Sequence, residues 1–203
     1  MSAARRVIRA ALRDTAADLF TTAVVNLLWL LLNALVVAGP PATLALFYVG
    51  NRLAHGEVTD PRDFLAGLRR YFGLGWRWGA MNLLAIAFLL GDIALSGRLF
   101  DGPTRLLVQG FYAGVLLLWL CLQLYVLPLL FEQEAPRLGL ALRNGLVMLG
   151  RNPGFSLGLA LLLALVLAAG TIFFLVVVAA GGVLVALVGN HAVLNRLAVG
   201  RRL

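Results

Sequence analysis

Few side chains in this sequence are of the types that do covalent or metal chemistry, and their spacing keeps them apart. The two histidines, His55 and His191, sit at the edges of apolar runs with no second ligand at metal-binding spacing. The lone cysteine, Cys121, lies inside an apolar run without a histidine or aspartate beside it. Ser96 and Ser156 have no base nearby in sequence. Gly73, Gly75 and Gly79 miss the dinucleotide-binding spacing by one residue and follow no strand pattern. No catalytic, cofactor or metal site is therefore expected, and the chain reads as a non-enzyme. What remains is a set of polar side chains inside hydrocarbon: Asn26, Asn33, Asn82 and Asp92. An intramembrane carboxylate is costly and marks a functional site by default, which makes Asp92 the most informative single residue. Intramembrane amides more often bond neighbouring helices. Brought together, the four would line a site for a small solute; kept apart, they are helix glue. Gln109, Gln123, Glu132 and Asn190 are lesser candidates of the same kind.

The elements that position these residues are membrane helices. Of 203 residues, 62% are hydrophobic and 13% charged, with a mean hydropathy of +0.94; soluble domains run roughly 45–50% apolar and about 25% charged. The expected fold is all-α: a single polytopic membrane domain over 1–203, with about six membrane-embedded helices and several amphipathic interfacial ones. Residues 2–17 set Arg5, Arg6, Arg9 and Arg13 opposite Val7, Ile8, Ala11 and Leu12, the pattern of a basic helix on the membrane surface. The first span, Leu19 to Ala38, exceeds the roughly 7–15 residues of a signal-peptide core and is expected to be retained. Asp60, Pro61 and Asp63 form a helix-start signal for a second interfacial helix carrying Arg62, Arg69 and Arg70. Long spans follow at about 76–96 and 106–131, then a third amphipathic stretch with Arg137 and Arg143. Residues 155–190 are too long for one crossing and predict two helices with a turn between Ala169 and Gly182. Gly150, Gly154 and Gly158 are spaced for close helix packing. A weak internal repeat relates 61–96 to 136–171: each is a short amphipathic helix, a small-residue corner and a long span.

Between the first two long spans, Gly39-Pro40-Pro41 interrupts the hydrocarbon, and helical sequence resumes for only 42–54. All 17 basic residues are arginine, giving a net charge of +8. If 42–54 does not return across the membrane, the arginines divide almost evenly between its two sides. If Gly39-Pro40-Pro41 is a hairpin tip and the short helix returns, every arginine except Arg98 and Arg105 shares one side. Arginine-rich loops are cytoplasmic, so both termini are expected in the cytoplasm, against anionic headgroups. Irregular backbone at the tip would then need shielding by protein or a polar cavity. Nucleic acid is not an expected partner, because the arginines flank apolar segments instead of forming one stripe.

The stretch from Asn26 through Phe72 resembles the YesL-like membrane proteins, domain-of-unknown-function family 624. The likeness rests on Asn26-Leu27-Leu28-Trp29, the Gly/Pro break with Pro41-Ala42-Thr43, Ala45-Leu46-Phe47, Gly56-Glu57 and Asp63-Phe64, and spans roughly 15–80. The resemblance implies a bacterial cytoplasmic-membrane protein often encoded beside carbohydrate uptake and utilisation systems, with no established activity. Two functions fit. One is an accessory or assembly protein of a transporter or other membrane complex, docking through Arg62, Arg69, Arg70, Arg137 and Arg143. The other is a small transporter or membrane-embedded substrate-binding subunit built on Asn26, Asn33, Asn82 and Asp92.

Overall fold

In a computed structural model, which describes residues 2–17, 19–172 and 174–200, every described element is helical. The order is α1 (Ser2–Ala17), α2 (Leu19–Ala34), a 3-10 turn (Val36–Ala38), α3 (Gly39–Ala54), α4 (Pro61–Arg70), α5 (Phe72–Leu99), α6 (Gly102–Phe131), α7 (Leu138–Arg151), α8 (Pro153–Ile172) and α9 (Phe174–Gly200). Arg201 and Arg202, counted with the C-terminal arginines, lie outside the described residues. Among the described residues, three helices are long and apolar enough to cross a bilayer: α5, α6 and the Ala180–Val199 part of α9. Counting the α1–α2 and α7–α8 bent pairs as one broken span each raises the number to five. The chain is a multi-pass α-helical membrane protein with fewer spans than the six expected. Length is the reason. With 16 residues each, α2 and α3 extend about 24 Å, against about 30 Å of hydrocarbon.

α2 and α3 pack as a helical hairpin, held where Trp29 Nε1 donates to Thr43 Oγ1 at 3.2 Å. The expected tip at Gly39-Pro40-Pro41 is corrected: the chain turns at Leu35–Ala38, with Val36 at φ 40°, and the prolines begin α3. Proline suits the first helical turn, where its fixed φ is already right and its missing N–H is not needed. Gly39 is itself helical, at φ −56° and ψ −58°. The expected protein shield is absent at the turn too, since Leu35, Val36 and Val37 are 64–74% exposed. These are apolar side chains, suited to lipid.

The prolines are received by α5. A Cβ on Gly75 would stand 2.5 Å from Pro41 Cα, and one on Gly79 would stand 2.6 Å from Pro40 Cβ. Twenty residues of α5 lie beyond Gly79, about 30 Å of helix. The hairpin therefore turns back after roughly two turns of α5, well short of the other end of that helix.

α9 packs against α1, α2, α3, α6 and α8, and its Val183, Ala186, Leu187, Val188, Ala192 and Val193 are buried. The expectation that α1 rests on the membrane through its apolar face is corrected. Ala4, Val7, Ile8 and Ala11 are buried, and α1 packs on α9 and α8. Amphipathicity reveals that a face will be covered, not by what. The close-packing role read for Gly150, Gly154 and Gly158 is also corrected, since a Cβ at any of them would meet nothing within 4 Å. Repeat units 61–96 and 136–171 share the order short helix, long helix, but Gly75 and Gly79 pack tightly where Gly150 and Gly154 do not. The turn expected between Ala169 and Gly182 falls on a stretch that includes Phe173, which lies outside the described residues.

Candidate functional site

The polar residues occupy helix crossings. On α2, Asn26 is fully buried, and its Oδ1 accepts from Gly182 N at 2.7 Å and Val183 N at 3.3 Å on α9. Gly182 permits this approach, since a Cβ there would stand 2.6 Å from that oxygen. Asn33 turns back on its own helix, donating to the Trp29 carbonyl at 2.8 Å. Asn82 and Gln123 belong to a reciprocal ladder between antiparallel α5 and α6. Trp78 Nε1 donates to Gln123 Oε1 at 3.0 Å, and Trp119 Nε1 donates to Asn82 Oδ1 at 3.0 Å. Each amide also faces the carbonyl of the tryptophan one turn earlier on its own helix. Indole and amide thereby satisfy one another inside hydrocarbon, where an orphan polar group is expensive. Ser156, considered for chemistry above, shares a 2.7 Å hydrogen bond with Tyr125 that joins α8 to α6.

A second polar cluster forms where the ends of α3 and α6 meet α9. Asn51 Nδ2 donates to Glu132 Oε1 at 2.7 Å and to Asn190 Oδ1 at 3.1 Å. His55 Nε2 lies 3.5 Å from the same Glu132 oxygen, and its Nδ1 lies 2.8 Å from the Asn51 carbonyl. Next to it, Arg52 bonds Glu57 and Asp63 at 2.7 Å each. The Glu57 hydrogen bond raises the Arg52 pKa above its ordinary value, burial opposes this, and Asp63 adds to the rise. Asp63 also closes the capping box with Asp60 at the start of α4, as the sequence predicted, so one carboxylate ties α4 to the end of α3. Another long-range pair, His191 Nε2 to Asp14 Oδ2 at 2.7 Å, pins α1 to α9. Sequence reasoning left His55 and His191 without partners because these arise 77 and 177 residues away. The polar side chain at each membrane edge was the available signal.

α4 and α7 continue from this end. α4 buries Phe64 and Gly67, the latter against Tyr48, while α7 buries Ala141 and Gly145, the latter against Leu122. Arg62, Arg69, Arg70, Arg137 and Arg143 are exposed, and none has an ion-pair partner among the described residues. Arg70 rests over the Tyr71 ring at 5.3 Å. Asp92 stands apart, half-buried near the far end of α5, with Oδ2 covered and unpartnered. The structure thus does not bring Asn26, Asn33, Asn82 and Asp92 together. Asn26 bridges α2 to α9, Asn82 bridges α5 to α6, Asn33 bonds within α2, and Asp92 has no partner among the described residues. Among the described residues, no three His, Cys, Asp or Glu side chains are grouped to hold a metal ion.

These features define a multi-pass helical membrane protein with an N-terminal helical hairpin and arginine-bearing helices at one end. The family model described as "Protein of unknown function, DUF624" matches residues 22–93, about a third of the chain. The likeness takes in the α2–α3 turn, α4, the glycines that receive the prolines, and Asp92. No curated protein and no solved structure matches the chain.

Proposed function

We propose that the protein is a non-enzymatic accessory or assembly component of the bacterial cytoplasmic membrane, docking through its arginine-bearing end to a transporter or other membrane complex. The observation that carries this reading is the exposure of Arg62, Arg69, Arg70, Arg137 and Arg143 without ion-pair partners among the described residues. Their helices are already fixed to the bundle through Phe64, Gly67, Ala141 and Gly145. A partner with an acidic face, or anionic lipid, meets them without the cost of ordering a loose segment. Cytoplasmic placement of this end follows the arginine bias, because Arg98 and Arg105 belong to the opposite end of the α5–α6 pair. The association with carbohydrate uptake rests on the family resemblance. The solute-transport reading is less favoured, since Asn26, Asn33 and Asn82 each bond separate partners and Asp92 shares none of them.

The test is affinity purification from the native host with Arg69→Glu and Arg70→Glu combined. Loss of the co-purifying membrane partner, with monodisperse protein of unchanged helicity, is expected. An unchanged partner set, or solute uptake in vesicles that is lost on Asn33→Ala, would overturn the proposal.

A further inference from the structure

At the loop end of the α5–α6 pair lies a groove of about 480 Å³, lined by Asp92, Leu95, Leu99, Leu107, Phe111 and Tyr112 among others. Asp92 is the one carboxylate in this lining. It receives no hydrogen bond and no cation from the described residues, and its Oδ2 is covered. A half-covered carboxylate beside hydrocarbon is matched by a proton or by a cation from outside the chain, and the groove provides room for the second. The walls are apolar and aromatic, and they open sideways: Leu95 is 50%, Phe111 67% and Leu107 75% exposed, on helices that face the bilayer. Arg105 lies across Gly97, its Nη2 3.4 Å from where a Cβ would stand, so positive charge sits near the loop end of the groove. A small hydrated cation approaching from water is repelled there, whereas a cation dissolved in the membrane enters from the side. Aromatic rings next to the carboxylate further favour an organic cation.

We infer that this groove is a binding site for a lipophilic organic cation that is a free solute and not a lipid headgroup, an ammonium or iminium carried on an apolar body, with Asp92 as its counter-ion. The site is independent of the arginine-bearing end, and its test reads neither docking nor uptake. Ethidium binding to purified protein in maltoside micelles is followed by fluorescence polarisation, with pyrene as the neutral apolar control. Saturable binding of one ethidium per chain is expected, weakened about tenfold by Asp92→Asn, the worth of one charge-assisted contact, with pyrene binding unchanged. Leu107→Trp fills the groove from an exposed wall without touching the carboxylate, and it should weaken ethidium and pyrene together; it serves also if Asp92→Asn fails to fold. Equal ethidium affinity in wild type and both variants would overturn the inference. So would displacement of ethidium by stoichiometric phosphatidylethanolamine, which would assign the groove to a lipid headgroup.

Discussion

Replacing Gly75 by alanine tests the contact that seats the α2–α3 hairpin against α5. The new Cβ would stand 2.5 Å from Pro41 Cα, 2.8 Å from Pro41 N and 3.1 Å from Pro40 C. Carbon atoms rest at about 3.5–4.0 Å, so α3 has to retreat by about 1 Å, and these atoms are backbone that no rotamer change can move. Overpacking of this kind costs about 1–3 kcal/mol, while alanine returns about 1 kcal/mol over glycine in helix propensity. The net expectation is a destabilisation of about 0–2 kcal/mol, and about 1–3 kcal/mol relative to a glycine-to-alanine change without the clash. Gly91→Ala, in the same helix with nothing within 4 Å of its Cβ, keeps the propensity gain alone and should be neutral or stabilising. SDS titration of maltoside-solubilised protein, read by tryptophan fluorescence, compares the two. At Gly79 the clash is with Pro40 Cβ and Cγ, at 2.6 and 2.7 Å. Adding Pro40→Gly should therefore recover part of the Gly79→Ala loss but none of the Gly75→Ala loss. An unfolding midpoint for Gly75→Ala equal to or above that of Gly91→Ala would refute the close approach.

Asn26→Leu removes the side-chain acceptor shared by Gly182 N and Val183 N and should cost about 1 kcal/mol in the same titration. Asn33→Leu breaks only a bond within α2 and should cost clearly less; equal losses would argue against the α2–α9 contact. On a Cys121→Ser background, an impermeant thiol reagent applied to intact cells should label Asp101→Cys and leave Ser2→Cys unlabelled until the cells are permeabilised. The reverse pattern would invert the proposed sidedness.

Local signals in the sequence carried most of the secondary structure. Asp60, Pro61 and Asp63 announced α4 because a capping box is built from residues three apart. Pairings across the bundle were not legible, since they depend on which helices become neighbours. The turn at Leu35–Ala38 was hidden for a different reason. Gly39 and the prolines are the residue types that favour turns, yet Val36 takes the positive φ and the prolines start the helix. Likewise, two glycine series looked alike in sequence. Only Gly75 and Gly79 have a partner, because Pro40 and Pro41 reach them; Gly150, Gly154 and Gly158 face nothing within 4 Å.

The same geometry separates the buried polar residues by chemistry. An amide carries both donor and acceptor, so it can cap its own helix and bridge to the next, as Asn82 does between the Trp78 carbonyl and the Trp119 indole. Such a residue leaves no demand unmet and explains itself as packing. An ionised carboxylate only accepts, and it carries a charge that no neighbouring amide neutralises. Glu132 meets that demand with Asn51 and His55, and Asp14 meets it with His191 and Arg13. Asp92 has neither donor nor cation within the described chain, and it lines a groove whose walls are exposed and apolar. Helix association would be served equally well there by asparagine or leucine. What an aspartate adds at that position is a negative charge offered to something other than this chain.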